Sequence, residues 1–140
     1  MHTGSCLCGQ INYEVDDALE LALNCHCKFC RLAHGAEFVP VALMTAEKLR
    51  IVKGQDLLSK FEVVSTESFR CFCSYCGTRL FNHNPKANYL GSIIATLSTS
   101  ESVVPLANVN MLSRNMSFEQ SNGLPEFDDV PPIEELLELV

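Results

Sequence analysis

Apolar and polar residues alternate along much of this chain, in stretches too short for helices. In residues 4–15, Ile11, Tyr13 and Val15 alternate with Gln10, Asn12 and Glu14, which predicts a strand with one buried face. Residues 19–24 and 37–44 predict two more. Thr45 ahead of Ala46-Glu47-Lys48 predicts a single helical turn with Thr45 as its N-cap. Residues 49–53 and 57–64 read as strands parted by the turn signal Gly54-Gln55-Asp56. Residues 69–73 form a strand leading into Cys76-Gly77, and 80–81, 89–97 and 109–112 are further short strands. Only 131–140 reads as helical, with Pro131-Pro132 at its start and acids in its first turn. Short strands with frequent turns predict a mainly β domain over residues 1–128. The acidic tail, 129–140, follows it, and no linker divides the chain.

Composition narrows the class. The chain has 140 residues, 47% of them hydrophobic, enough for a core and too apolar for a disordered chain. No run of about 18 apolar residues suggests a transmembrane helix. The first residues lack the basic and apolar regions of a signal peptide, so a cytoplasmic location is expected. The net charge is −7, and six of the seventeen acids fall in residues 126–140, where there is no base. The rest is nearly neutral, and neither part offers the basic surface that nucleic acid requires.

Cysteine changes the picture most. Eight cysteines stand at 6, 8, 25, 27, 30, 71, 73 and 76. In a reducing compartment such clusters more often hold metal than disulfides. Zinc needs ligands that converge in a tetrahedron, with Zn–S near 2.3 Å. A Cys-x-x-Cys turn converges readily. A Cys-x-Cys pair needs a bend, and Gly9 after Cys8 and Gly77 after Cys76 supply backbone freedom. Cys6, Cys8, Cys73 and Cys76 then make a closed four-sulfur site of the structural kind. Cys25, Cys27 and Cys30 make a second cluster of three, and three protein ligands with an open position is the catalytic form of zinc. Cys71 leaves alternatives open: it is the fourth ligand of a closed second site, or a buried small hydrophobe. Disulfides are a third reading of the set.

The motifs Gly4-Ser5-Cys6-Leu7-Cys8-Gly9, Asn24-Cys25-His26-Cys27-Lys28-Phe29-Cys30-Arg31, Phe72-Cys73-Ser74-Tyr75-Cys76-Gly77-Thr78 and Gly123-Leu124-Pro125 resemble the glutathione-dependent formaldehyde-activating enzyme family, also called the centromere protein V family. Order and spacing match over roughly residues 3–128. The resemblance implies a mainly β, β-tent-like fold of small antiparallel sheets around two zinc ions. It implies structural zinc at Cys6, Cys8, Cys73 and Cys76. It also implies a second zinc at Cys25, Cys27 and Cys30, with a fourth position for a glutathione thiolate or water. The implied activity is carbon–sulfur lyase chemistry, the reversible addition of glutathione to formaldehyde. The chain departs from the pattern at Cys71, at Asn108, where a histidine is common, and at Ser117-Phe118, where a tryptophan often stands. These departures bear on substrate specificity. The basic extension of a chromatin role does not appear.

Lys28 and Arg31 flank the second cluster. Three thiolates with Zn²⁺ leave one negative charge, which these cations offset, and they are candidate contacts for a glutathione carboxylate. His26, between two ligands, is expected to point away from the metal and pack. His34 and His83 read as surface or capping residues. Two functions follow: an enzyme taking a small thiol and an aldehyde as partners, with no nucleic acid and no membrane, or a non-catalytic two-zinc module. Coordination at the second site separates them. The residues do not fix the oligomeric state.

Overall fold

The computed structural model describes residues 1–115 and 123–140; Ser117 and Phe118 lie outside the described residues. Among the described residues, ten strands form two sheets. β1 (His2–Ser5), β2 (Asn12–Val15) and β5 (Leu49–Lys53) make a three-stranded antiparallel sheet in the order β1-β2-β5. β3 (Ala22–Cys25), β4 (Val39–Thr45), β6 (Leu58–Val63), β7 (Ser68–Cys73), β8 (Arg79–Asn84), β9 (Tyr89–Ile93) and β10 (Ala107–Val109) make the large sheet. Its order is β10-β3-β4-β9-β8-β7-β6, antiparallel throughout except the parallel pair β10–β3. The mainly β expectation therefore holds. Among the described residues, no helix is long and apolar enough to cross a membrane.

The large sheet has two apolar faces. One carries Ala42, Met44, Cys71, Cys73, Phe81 and Leu90, and packs against Ile11, Tyr13 and Val15 of the small sheet. The other carries Leu23, Val41, Ile93, Ala107 and Val109, and packs against Leu136. Alternation places successive side chains on opposite faces, so one strand serves both cores. Gly4 is required where β1 crosses Tyr13, because a Cβ there would come within 2.1 Å of the ring. The Tyr13 hydroxyl donates to Thr96 Oγ1 at 2.6 Å.

Several elements differ from the sequence reading. The predicted strand over 4–15 is two strands, broken by the turn in which Gly9 N–H donates to the Cys6 carbonyl at 3.0 Å. Residues 89–97 bend after Ile93 into a short 3-10 turn, Ile94–Thr96. The strand expected at 109–112 ends at Val109, because Asn110 adopts a left-handed φ of 59° and starts a 3-10 turn. Thr45 precedes a 3-10 turn but makes no side-chain cap bond. A helix, α1 (Lys28–His34), stands where only a metal-binding turn was read. The C-terminal helix α2 is short, Ile133–Leu137. It packs onto the large sheet through Leu136, which is fully buried.

Candidate metal centres and cavity

Two turns bring the first cluster together. Cys6 closes β1 and Cys73 closes β7. In each turn the glycine N–H donates to the carbonyl of the leading cysteine, Gly9 to Cys6 at 3.0 Å and Gly77 to Cys73 at 2.8 Å. Both glycines take positive φ, 75° and 76°, which lets the chain curl around the sulfurs. Thr78 stitches the turns together. Its Oγ1 accepts from Leu7 N–H at 3.0 Å, which leaves its proton for Cys76 Sγ at 3.2 Å. Ile11 N–H donates to Cys6 Sγ at 3.2 Å.

The four sulfurs lie within 4.8 Å of one another. Cys6 and Cys8 are 3.4 Å apart, Cys8 and Cys73 3.9 Å. A tetrahedral zinc with four thiolates needs about 3.8 Å between sulfurs. The set therefore fits that ion. The Thr78 hydroxyl, with the Thr78 backbone N–H, holds the Cys76 thiol down at about 5.

The second cluster grows out of one junction. Cys25 is the last residue of β3, the chain bends at His26, and Cys27 is the N-cap of α1, its Sγ accepting from Cys30 N–H at 3.3 Å. Cys25, Cys27 and Cys30 place their sulfurs within 4.8 Å of one another. Two residues that the sequence reading missed donate to them. Arg70 of β7 reaches Cys30 Sγ at 3.3 Å, and Asn110 Nδ2 reaches Cys25 Sγ at 3.3 Å. Without a cation the three thiols cannot ionise together. Bonds from Cys25 and Cys30, with Arg70 nearby, drive Cys27 far below the usual thiol range. The same sharing drives Cys25 far above it.

Cys71 joins neither cluster. It is buried among the core residues on the small-sheet face, and burial pushes its thiol up to about 11. His26 is fully buried, stacks on Phe38 at 5.0 Å between ring centroids, and shares Asn108 Oδ1 with Asn24. Its packing role is as expected. Asn108 is thus a buried strut behind the second cluster. Lys28 is exposed and Arg31 half-buried, and neither lines the cavity beside the cluster; Arg70 does. His83 also lines that cavity, whereas His34 is half-buried and, through burial and the charges of Arg70 and Arg79, held at about 4.

That cavity has a volume of about 310 Å³ and is open to all three sulfurs. A larger cleft of about 820 Å³ runs along β1 and β2, lined by residues such as Thr3, Ser5, Asn12 and Ser98. Its one thiol, Cys6, belongs to the four-sulfur set, whereas all three sulfurs of the second cluster line the smaller cavity.

The fold is thus a mainly β frame that carries two cysteine clusters, one of four sulfurs and one of three, each able to hold a metal ion. The chain belongs to the glutathione-dependent formaldehyde-activating enzyme family, whose model matches residues 1–113. It is also similar in fold to the crystal structure of a Rhodobacter sphaeroides protein. The TM-score is 0.59 at 21% identity, over 89% of this chain and 98% of that one.

Proposed function

We propose that this chain is a zinc-dependent enzyme of the carbon–sulfur lyase type, joining glutathione or a similar small thiol to formaldehyde or a related aldehyde. The observation that carries this reading is the three-sulfur cluster opening onto the cavity, with Arg70 at its edge. In this reading Cys6, Cys8, Cys73 and Cys76 hold a structural zinc, and Cys25, Cys27 and Cys30 hold a second. That second ion supplies Lewis acidity, which keeps a bound small thiol ionised at neutral pH.

The chain's own residues orient the site. Arg70, Asn110 and the Cys30 N–H each fix one sulfur, so the open direction faces the cavity. The Arg70 charge offsets the excess of thiolate. The substrate sulfur attacks the aldehyde carbon, a C–S bond forms and the C=O π pair moves to oxygen. The thiol's proton leaves to solvent and the alkoxide takes one back, so the reaction balances as an addition and reverses the same way. No side chain forms a covalent bond.

The test is exchange between ¹³C-formaldehyde and glutathione followed by NMR. The zinc-loaded protein should speed exchange above the spontaneous rate, and Cys27→Ser should abolish the gain. A protein with two zinc ions and no gain would be the non-catalytic module.

A further inference from the structure

The cavity beside the second cluster is polar at one end and apolar at the other, and the sheet register shows why. Arg70 on β7 pairs with Asn82 on β8, Asn82 with Gly91 on β9, and Gly91 with Leu43 on β4. The next register line pairs Val41 with Leu23 and Ile93. Arg70 and Asn82 therefore form a donor pair next to Cys30. Across the gap left by Gly91 stands a wall of Leu23, Val41 and Leu43, with Val109 beside Cys25. Adjacent strands lie about 4.8 Å apart, so β7 to β4 spans roughly 14 Å. Leu43 is the half-buried face of that wall, with Leu23 and Val41 buried behind it, and a two-heavy-atom aldehyde at the donor pair does not reach it.

We propose that this cavity selects an aldehyde with an apolar chain over formaldehyde, its oxygen toward Arg70 and Asn82 and its chain along Leu23, Val41 and Leu43. The proposal rests on the reading of Cys25, Cys27 and Cys30 as the thiol-activating site. The peptide of a thiol such as glutathione is a poor occupant of the wall. Its amides would lose water without finding partners there. Exposed Asp128 and Asp129, next to the cavity residue Val130, also disfavour its carboxylates. The peptide runs outward to solvent, and the aldehyde chain fills the wall. The chemistry is unchanged: a C–S bond forms, the carbonyl oxygen gains the electron pair and then a proton.

Each buried methylene contributes about fourfold in affinity. Two or three on the wall therefore predict, with glutathione as thiol, at least a tenfold larger enhancement over the spontaneous reaction for hexanal than for formaldehyde. A readout independent of turnover is calorimetry of 1-hexanol, unreactive and similar in shape, against methanol. The zinc-loaded protein should bind hexanol and show no heat with methanol.

Gly91→Leu is the sharp variant. A Cβ at Gly91 would meet Leu43 Cδ2 at 3.5 Å and Val41 Cβ at 3.7 Å, ordinary contacts, so the strand has room for a Cβ pointing into the gap. It should lose hexanol binding and the hexanal preference by tenfold or more, yet keep two zinc ions. If that variant fails to fold, Leu43→Ser, which makes the wall polar, should weaken hexanol in the same way. Wild-type protein that enhances formaldehyde exchange over its spontaneous rate as much as it enhances hexanal overturns the proposal. So does a Gly91→Leu protein that loses glutathione rather than hexanol. Absence of catalysis with every aldehyde refutes the lyase reading instead, and hexanol binding still decides the occupant of the wall.

Discussion

Removing one ligand of the first site should unfold the chain far more easily than removing one from the second. Cys8 and Cys73 stand 65 residues apart, so an ion joining their turns closes a long loop. A cross-link of that span is worth about 4 kcal/mol in chain entropy, whereas one confined to residues 25–30 is worth about 2 kcal/mol. Against a typical stability of about 5–15 kcal/mol, the first loss is large. Cys76→Ala is the cleanest perturbation. Cys76 is half-buried, whereas Cys73 is fully buried and its truncation would also leave a core cavity. At about 3–5 °C per kcal/mol for a chain of this size, the thermal midpoint should fall by about 12–20 °C. The assay is thermal unfolding by circular dichroism with zinc counted on the same sample. One zinc should be lost. A Cys76→Ala protein that keeps two ions and its midpoint would refute the assignment of the first site.

Cys27→Ser should reduce zinc from two ions to about one and abolish exchange, yet lower the midpoint by no more than about half as much as Cys76→Ala; equal unfolding would make the second site structural. Cys71→Ala should keep two ions and unchanged glutathione binding, lowering stability by about 1 kcal/mol; loss of an ion would make it a ligand. Gly4→Ala should lower stability by about 2–3 kcal/mol in urea unfolding, because the new Cβ overlaps the Tyr13 ring; an unchanged midpoint would contradict that packing. Burial raises the Tyr13 hydroxyl above its ordinary value of about 10. The folded state then keeps a proton that the unfolded chain releases, so this stability is full below about pH 10 and falls as pH rises beyond it. Tyr13→Phe should flatten that alkaline decline, and an identical slope would contradict it.

What the sequence shows and hides follows from how local each feature is. Alternation around Ile11, Tyr13 and Val15 marks a strand because its period survives in a short window. The two cysteine sets are legible because spacing alone constrains where sulfurs can meet. α1 was overlooked because seven residues hold barely two turns of apolar pattern, and Leu32, which should mark its inner face, is 72% exposed. A signal was present in Gly35, which ends the helix at φ 61° after Arg31 and His34. Asn110 carried a fainter one, since asparagine tolerates the left-handed turn that aims its amide at Cys25. Arg70 carried none. Its partner lies 40 residues away and depends on which strands the sheet sets side by side.

That same strand explains why Cys71 does not complete the second cluster. Along β7, Cys71 and Cys73 point to the face of the small sheet, while Arg70, just before Cys71, points to the cavity. Reaching the second cluster would require Cys71 to flip to the other face, and that means a one-residue slip in register against β6 and β8. Such a slip would bury Arg70 in the small-sheet core and withdraw Cys73 from the first cluster. The two centres thus share one strand, a cysteine serving one face and an arginine the other. The register that closes the first site also holds the cation beside the second. A change at β7 that disturbs pairing should therefore weaken both centres together, whereas Arg70→Gln, which leaves the register intact, should disturb only the second.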